Sequence, residues 1–162
     1  MRERSLVLIK PDAVQRRLTG RVLQRFEDAG YKILAIKMLR ASAEQSRQHY
    51  REHAEKAFYP ALESFVLSGP LVALVLSGHG AIAGIRKLVG ATEPAAAAPG
   101  TIRGDFAHQP LLKGDGRGPE PWMCNIVHAS ANPADAAHEI GVWFRPEELL
   151  DYPLPDDPLH GV

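Results

Sequence analysis

The sequence predicts an α+β domain in which one sheet is covered by helices. Apolar runs of strand length occur at 6–9, 31–39, 71–76 and 124–128. Segments with helical spacing or helix caps lie between them. The two kinds of segment do not alternate with the regularity of a doubly wound parallel sheet. A chain of 162 residues is long enough for one domain with a substantial core.

The continuous apolar run Leu6-Val7-Leu8-Ile9, ended by Lys10-Pro11, reads as a buried central strand. Val22, Leu23 and Phe26 give 19–29 a helical apolar stripe, and Gly30 supplies a stop. In 31–39, Ile33, Leu34 and Ile36 mix with Lys32 and Lys37, as in a strand with one wet face. Ser42-Ala43-Glu44-Gln45 is a capping box that starts a helix running toward His53. A short helix over 61–68 ends at Ser68-Gly69-Pro70, and the apolar segment 71–76 is a third strand. The spacing over 81–89 is helical, with Gly90 as its cap. From 91 to 123 the chain is dense in Ala, Pro and Gly and reads as irregular. The segment 124–128 is the fourth strand, and Asn132-Pro133 caps and begins a helix through Glu139. Residues 142–144 fit strand or loop, 146–150 a last helical turn, and the proline-rich stretch beyond Tyr152 an extended tail.

Lys+Arg and Asp+Glu balance at 19 each, which argues against a dedicated nucleic-acid binder. The single cysteine, Cys124, excludes an intrachain disulfide framework and a thiolate metal cage, and suits a reducing, cytoplasmic setting. No segment has the pattern of a secretory signal or the length of a membrane span, so no membrane partner is expected.

Gly78-His79-Gly80-Ala81-Ile82-Ala83 matches a dinucleotide-binding fingerprint. It lacks the following strand with an acidic end that would hold a ribose, so these glycines read as turn and helix-start residues. No phosphate-binding loop of the G-x-x-x-x-G-K-[ST] type occurs, so nucleotide phosphates would have to be held by side chains. His49 and His53, four apart, are a candidate metal pair, but Tyr50 stands where a metalloprotease helix needs glutamate. His128, at the end of a short apolar segment and before a helix cap, would on its own read as a packed or surface histidine.

The company that His128 keeps changes this. The chain contains Ile9-Lys10-Pro11-Asp12-Ala13-Val14-Gln15-Arg16, then His49-Tyr50, Phe58-Tyr59-Pro60, Ser68-Gly69-Pro70 and Gly90-Ala91-Thr92-Glu93-Pro94. Pro99-Gly100-Thr101-Ile102-Arg103-Gly104-Asp105-Phe106, Asn125-Ile126-Val127-His128-Ala129-Ser130 and Trp143-Phe144-Arg145-Pro146-Glu147-Glu148-Leu149 follow. In this order, from about residue 4 to residue 152, the sequence resembles the nucleoside diphosphate kinase family.

The resemblance implies a ferredoxin-like sandwich, a four-stranded antiparallel sheet covered by helices, over residues 1–152 with a tail at 153–162. It implies that His128 takes the terminal phosphoryl of a nucleoside triphosphate and passes it to a diphosphate. Glu139 would orient the histidine with Ser130 bridging toward it, and Tyr50 would stand near the terminal phosphate. Arg86, Arg103 and Thr92 would hold phosphates, guanidinium forks matching phosphate oxygens well. Lys10 and Asn125 would grip the ribose, Lys10 also reaching the transferring group, and Phe58 and Leu62 would cover the base without reading its edges. Asp12 and Asp105 would cap turns. Mg2+ would come with the nucleotide, with no protein metal cage, and the assembly would be a homo-oligomer, a hexamer in preference to a tetramer. The alternative is a catalytically weakened member acting as a nucleotide-binding or regulatory module.

Two departures from the family pattern stand out. About a dozen extra residues fall within 108–123, whose turn-rich sequence predicts an exposed inserted loop. Ala131 replaces a frequent acidic residue, so any metal–water contact made there is lost, while Asn132 still caps the helix. Ala13 and Ala129 stand where glycine is common.

Overall fold

The computed structural model describes residues 2–109 and 124–154; the core of the expected inserted loop and the end of the tail lie outside them. Strand β1 (Arg2–Ile9) is followed by helices α1 (Pro11–Gln15) and α2 (Thr19–Asp28) and strand β2 (Lys32–Leu39). Helices α3 (Ala43–His49) and α4 (Tyr59–Leu67) lead to β3 (Leu71–His79) and α5 (Ala81–Val89). After α6 (Ile102–Phe106), β4 (Val127–Ala129) and α7 (Pro133–Trp143) complete the domain. The strand order is β2-β3-β1-β4 with every pairing antiparallel, which is the ferredoxin-like arrangement.

The alternation of side chains along β1 divides the core. Val7 and Ile9 face one layer with Val22, Phe26, Ile85 and Ile102. Leu6 and Leu8 face the other, with Leu62, Val66 and Trp143. Both faces being covered, β1 and β3 read as unbroken apolar runs rather than alternating ones. His128 pairs with Leu8 in the β1–β4 register and so lies on the face covered by α3, α4 and α7.

Most expected elements are present, with differences at their ends. The capping box is complete, Ser42 Oγ accepting from Gln45 N and Gln45 Oε1 from Ser42 N, but α3 stops at His49. His53 therefore lies in the following turns and not on a helix face with His49, which removes the expected geometry of a metal pair. The stretch read as irregular contains α6, which Thr101 caps by accepting from Gly104 N. Its cap was masked by the surrounding Ala, Pro and Gly. The helix α1 was also missed, being only five residues long and opened by Pro11. Residues 142 and 143 are helical, because Trp143 turns into the core and continues the buried face of α7. Beyond α7 the chain returns along β2, where Leu150 N donates to Leu34 O, Lys37 pairs with Glu148 at 2.7 Å, and Lys32 pairs with Asp151. No helix among the described residues is long and apolar enough to cross a membrane.

Of the glycines in the dinucleotide-like segment, Gly80 starts α5 in a left-handed conformation at φ +56°, and Gly78, like Gly84 beyond it, has a packing role. A Cβ on Gly78 would come within 2.8 Å of the Tyr31 ring, and one on Gly84 would overlap the Tyr31 hydroxyl. Tyr31 thus packs closely against β3 and α5 at two positions without side chains. Gly90, at φ +87°, ends α5 in a conformation that glycine adopts readily.

Gly84→Ala should destabilise the fold by about 1–3 kcal/mol through overpacking against Tyr31. Adding Tyr31→Phe, which removes the overlapping oxygen, should recover part of that loss in urea denaturation.

Candidate active site

A cavity of about 390 Å³ opens beside the C-terminal end of β1 and the start of α7. Every site residue named from the sequence lines it except Ser130, which lies fully buried behind. The volume is in the range of small-molecule sites.

His128 is placed by β4, whose pairing with β1 fixes the direction of its side chain. Its Nε2–H donates to Glu139 Oε1 at 2.9 Å. An ionised carboxylate only accepts, so this bond assigns the ring proton to Nε2 and leaves the lone pair on Nδ1. No hydrogen bond engages Nδ1 among the described residues. Ser130 Oγ–H donates to the other carboxylate oxygen of Glu139 at 2.5 Å and accepts from Leu6 N at 3.0 Å. Glu139 is thereby held from two sides and anchored to the central strand. Burial, and then the positive charges of Lys10, Arg103 and Arg86, lower the His128 pKa to about 3. The ring is neutral at physiological pH, with its side chain still 23 % exposed toward the cavity.

The loop entering β4 is set by a strained turn. Ile126 has φ +73°, an uncommon conformation for a β-branched residue. It is held there because its N–H donates to Asp12 Oδ2 at 3.2 Å and its carbonyl accepts from Lys10 N at 2.9 Å. Asp12 and Asp105 act on backbone amides, as expected of turn residues; Asp105 Oδ1 accepts from Gly100 N at 2.7 Å. Ala13 and Ala129 have no positive φ, so alanine is accepted at both.

Lys10 Nζ donates to Asn125 Oδ1 at 2.6 Å, and Asn125 Nδ2 donates to Thr92 O at 3.0 Å. Burial of the Lys10 ammonium, reinforced by Arg103, lowers its pKa to about 8. Arg103 donates to three carbonyls, Nε to Asn125 O, Nη1 to Gly90 O and Nη2 to Val127 O, at 3.1, 3.0 and 2.7 Å. Three of its five N–H groups are spent on the chain, leaving two for a ligand. Arg86 and Thr92 are exposed at the rim, while Leu62 is 2 % exposed and Phe58 half-buried. Burial, and then the charge of Glu139, raise the Tyr50 pKa, which keeps its hydroxyl protonated.

Comparison with known proteins shows the family of the chain. The family model described as nucleoside diphosphate kinase matches residues 3–149. The chain is 49 % identical over 148 residues to a nucleoside diphosphate kinase of Thermus thermophilus, covering 91 % of this chain and 99 % of that one. It is 47 % identical over 150 residues to that of Thermosynechococcus vestitus, covering 93 % and 92 %. The chain belongs to the nucleoside diphosphate kinase family. It is thus a member of a phosphotransferase family. Among solved structures, a transition state mimic of the Borrelia burgdorferi enzyme with bound vanadate and ADP has a TM-score of 0.88 and 39 % identity, covering 96 % of this chain and 94 % of that one. The halophilic enzyme of Halobacterium salinarum in complex with CDP has a TM-score of 0.85 and 37 % identity, covering 96 % and 95 %.

Sequence reasoning missed part of the site. His49, Asp135 and His138 also line the cavity. Asp135, His138 and Glu139 share one face of α7 at spacings of three and four, a signal that was present once Glu139 was chosen. His138 Nε2–H donates to Gln48 O at 2.9 Å, tying α7 to α3. His49, part of the His49-Tyr50 family motif and a possible metal partner of His53 but given no role in the site, packs against His128 with ring centroids 4.5 Å apart. Ring nitrogens of His49 and His128 and an oxygen of Glu139 lie within 4.8 Å of one another. That nitrogen-rich set does not suit Mg2+, a hard cation that takes oxygen ligands.

Nitrogen-15 NMR of the histidine rings should find His128 neutral, with its proton on Nε2, from about pH 8 down to about pH 5. Titration near the ordinary histidine value would contradict the buried geometry.

Proposed function

We propose that the protein transfers the terminal phosphoryl of a nucleoside triphosphate to a nucleoside diphosphate by a ping-pong route through His128. The observation that carries this is the Glu139–His128 hydrogen bond, which leaves a neutral Nδ1 lone pair facing the cavity. Nδ1 attacks the terminal phosphorus, the N–P bond forms as the bond to the bridging oxygen breaks, and the diphosphate departs with that oxygen. The His128 ring, still protonated at Nε2, becomes positive, and the Glu139 carboxylate stabilises that charge. A second diphosphate reverses the step.

Arg86, Thr92 and the two remaining N–H groups of Arg103 supply donors for the phosphates, where charge stabilisation and positioning do most of the work. Tyr50 supplies a neutral donor near the transferring group. Lys10 and Asn125 would share their present hydrogen bond with ribose hydroxyls. Phe58 and Leu62 offer apolar cover to a base without a pattern of edge donors, which favours broad base tolerance. Mg2+ would come bound to the nucleotide and would neutralise phosphate charge, with Glu52 and Asp135 the lining carboxylates outside the His128–Glu139 pair that could meet its water shell. The edge strand β2, on which Ile36 and Met38 are 50 % and 60 % exposed, supports association into a homo-oligomer; the family resemblance favours a hexamer over a tetramer and a cytoplasmic setting. Light scattering distinguishes the two assemblies.

Incubation with ATP labelled at the terminal phosphate should yield an acid-labile, alkali-stable phosphoprotein that His128→Ala abolishes. An unlabelled wild-type protein would sink the reading. Glu139→Gln, which keeps shape and loses charge, should slow labelling by about 10²–10³-fold.

Because the Lys10 pKa is lowered to about 8, its charge is present below that pH and lost above it. KM for ATP should therefore rise through pH 8, whereas Lys10→Gln should bind weakly at every pH and show no such limb in steady-state kinetics.

A further inference from the structure

His49 is 6 % exposed and is not used by the reaction just described. Its Nδ1 accepts a hydrogen bond from Trp143 Nε1–H at 3.1 Å. Indole nitrogen donates and never accepts, so Nδ1 must present its lone pair, and the ring proton of neutral His49 is on Nε2. Nε2 is buried and has no hydrogen-bond partner among the described residues. The ring stands edge-to-face against Tyr50 and His128, with centroids 4.4 and 4.5 Å away.

Protonation of a histidine in this tautomer takes place at Nδ1. That lone pair is the one Trp143 occupies. The charge balance of the reaction gives the position its importance, because attachment of a phosphoryl group at Nδ1 of His128 makes that ring positive. A second imidazolium 4.5 Å away would oppose this charge directly.

We propose that Trp143 and His49 form a proton-excluding pair beside the nucleophile, the indole N–H filling the His49 lone pair so that His49 stays uncharged and the positive charge on phosphorylated His128 is matched by Glu139. His49 is thus a positioning residue, acting through its neighbour's charge and ring orientation rather than on substrate. The groups facing it act in both directions: His128 from β4, Lys10 from the end of β1 and His138 from α7 disfavour its protonation, and Glu139 from α7 favours it. Burial is the largest influence and also disfavours the charge. The indole is therefore the geometric part of a preference that the whole pocket shares. The inference rests on His128 being the phosphorylated residue.

The test is Trp143→Phe, which keeps an aromatic ring and removes the N–H. Single-turnover phosphorylation by ATP is followed from about pH 5 to pH 8, together with nitrogen-15 NMR of His49. In the wild type the His49 signal should be that of a neutral ring protonated at Nε2 throughout. In Trp143→Phe, His49 should gain a proton on acidification, and an additional acid fall in phosphorylation rate, beyond that of the wild type, should appear within this range. The double variant His49→Phe/Trp143→Phe should remove the additional fall.

Absence of the additional fall in Trp143→Phe, or its persistence in the double variant, overturns the inference while leaving the phosphohistidine reading intact. Should the variants fail to fold, the wild-type spectrum decides alone: a His49 ring protonated at Nδ1, or charged near pH 6, overturns it. Absence of label on wild-type protein would overturn both readings together.

Discussion

The site depends on the pairing of β4 with β1. β4 is only three residues long, yet its register sets His128 opposite Leu8 and carries the flanking loop past the end of the central strand. Lys10 sits where β1 stops, so the proposed nucleophile and the lysine whose charge acts on it are held by two adjacent strands. Nothing within β4 itself could hold such a short strand. It is held by Asp12 and Lys10 on the backbone of Ile126, by Ser130 on Leu6, and by Arg103 on Asn125 and Val127.

Burial and hydrogen bonding then divide the work of tuning His128. Burial and surrounding cations keep the ring uncharged, which preserves its nucleophilicity. In the proposed reaction the Glu139 carboxylate would balance the charge that phosphorylation puts on the His128 ring. Burial raises the Glu139 pKa, and the Ser130 hydroxyl opposes that rise by donating to the carboxylate. The serine thus matters to the ionisation of Glu139 as well as to its direction.

Much of the fold was legible because β1 and β3 are apolar runs buried on both faces, and because Gly30, Gly90, Ser42 and Asn132 punctuate the helices clearly. The short helices α1 and α6 were not, since five residues give no hydrophobic period to detect. The site was legible as a set of ordered motifs that resemble the family. Its hydrogen bonding was not. Arg103 reads in sequence as a phosphate clamp, yet three of its donors hold main-chain carbonyls. His49 reads as half of a metal pair only while α3 is imagined to continue to His53. No local pattern announces that Trp143, 94 positions away, will reach its ring.

The anchoring by Arg103 carries a consequence for cooperativity. Its guanidinium joins the cap of α5, the residue that meets Lys10 and the first residue of β4. A ligand phosphate that engages the remaining donors would bind a group already shared by three segments of chain. On the proposed role of Arg103, occupancy and local order at this corner would be one equilibrium, and substrate would act there as a structural cross-link made and released at every turnover.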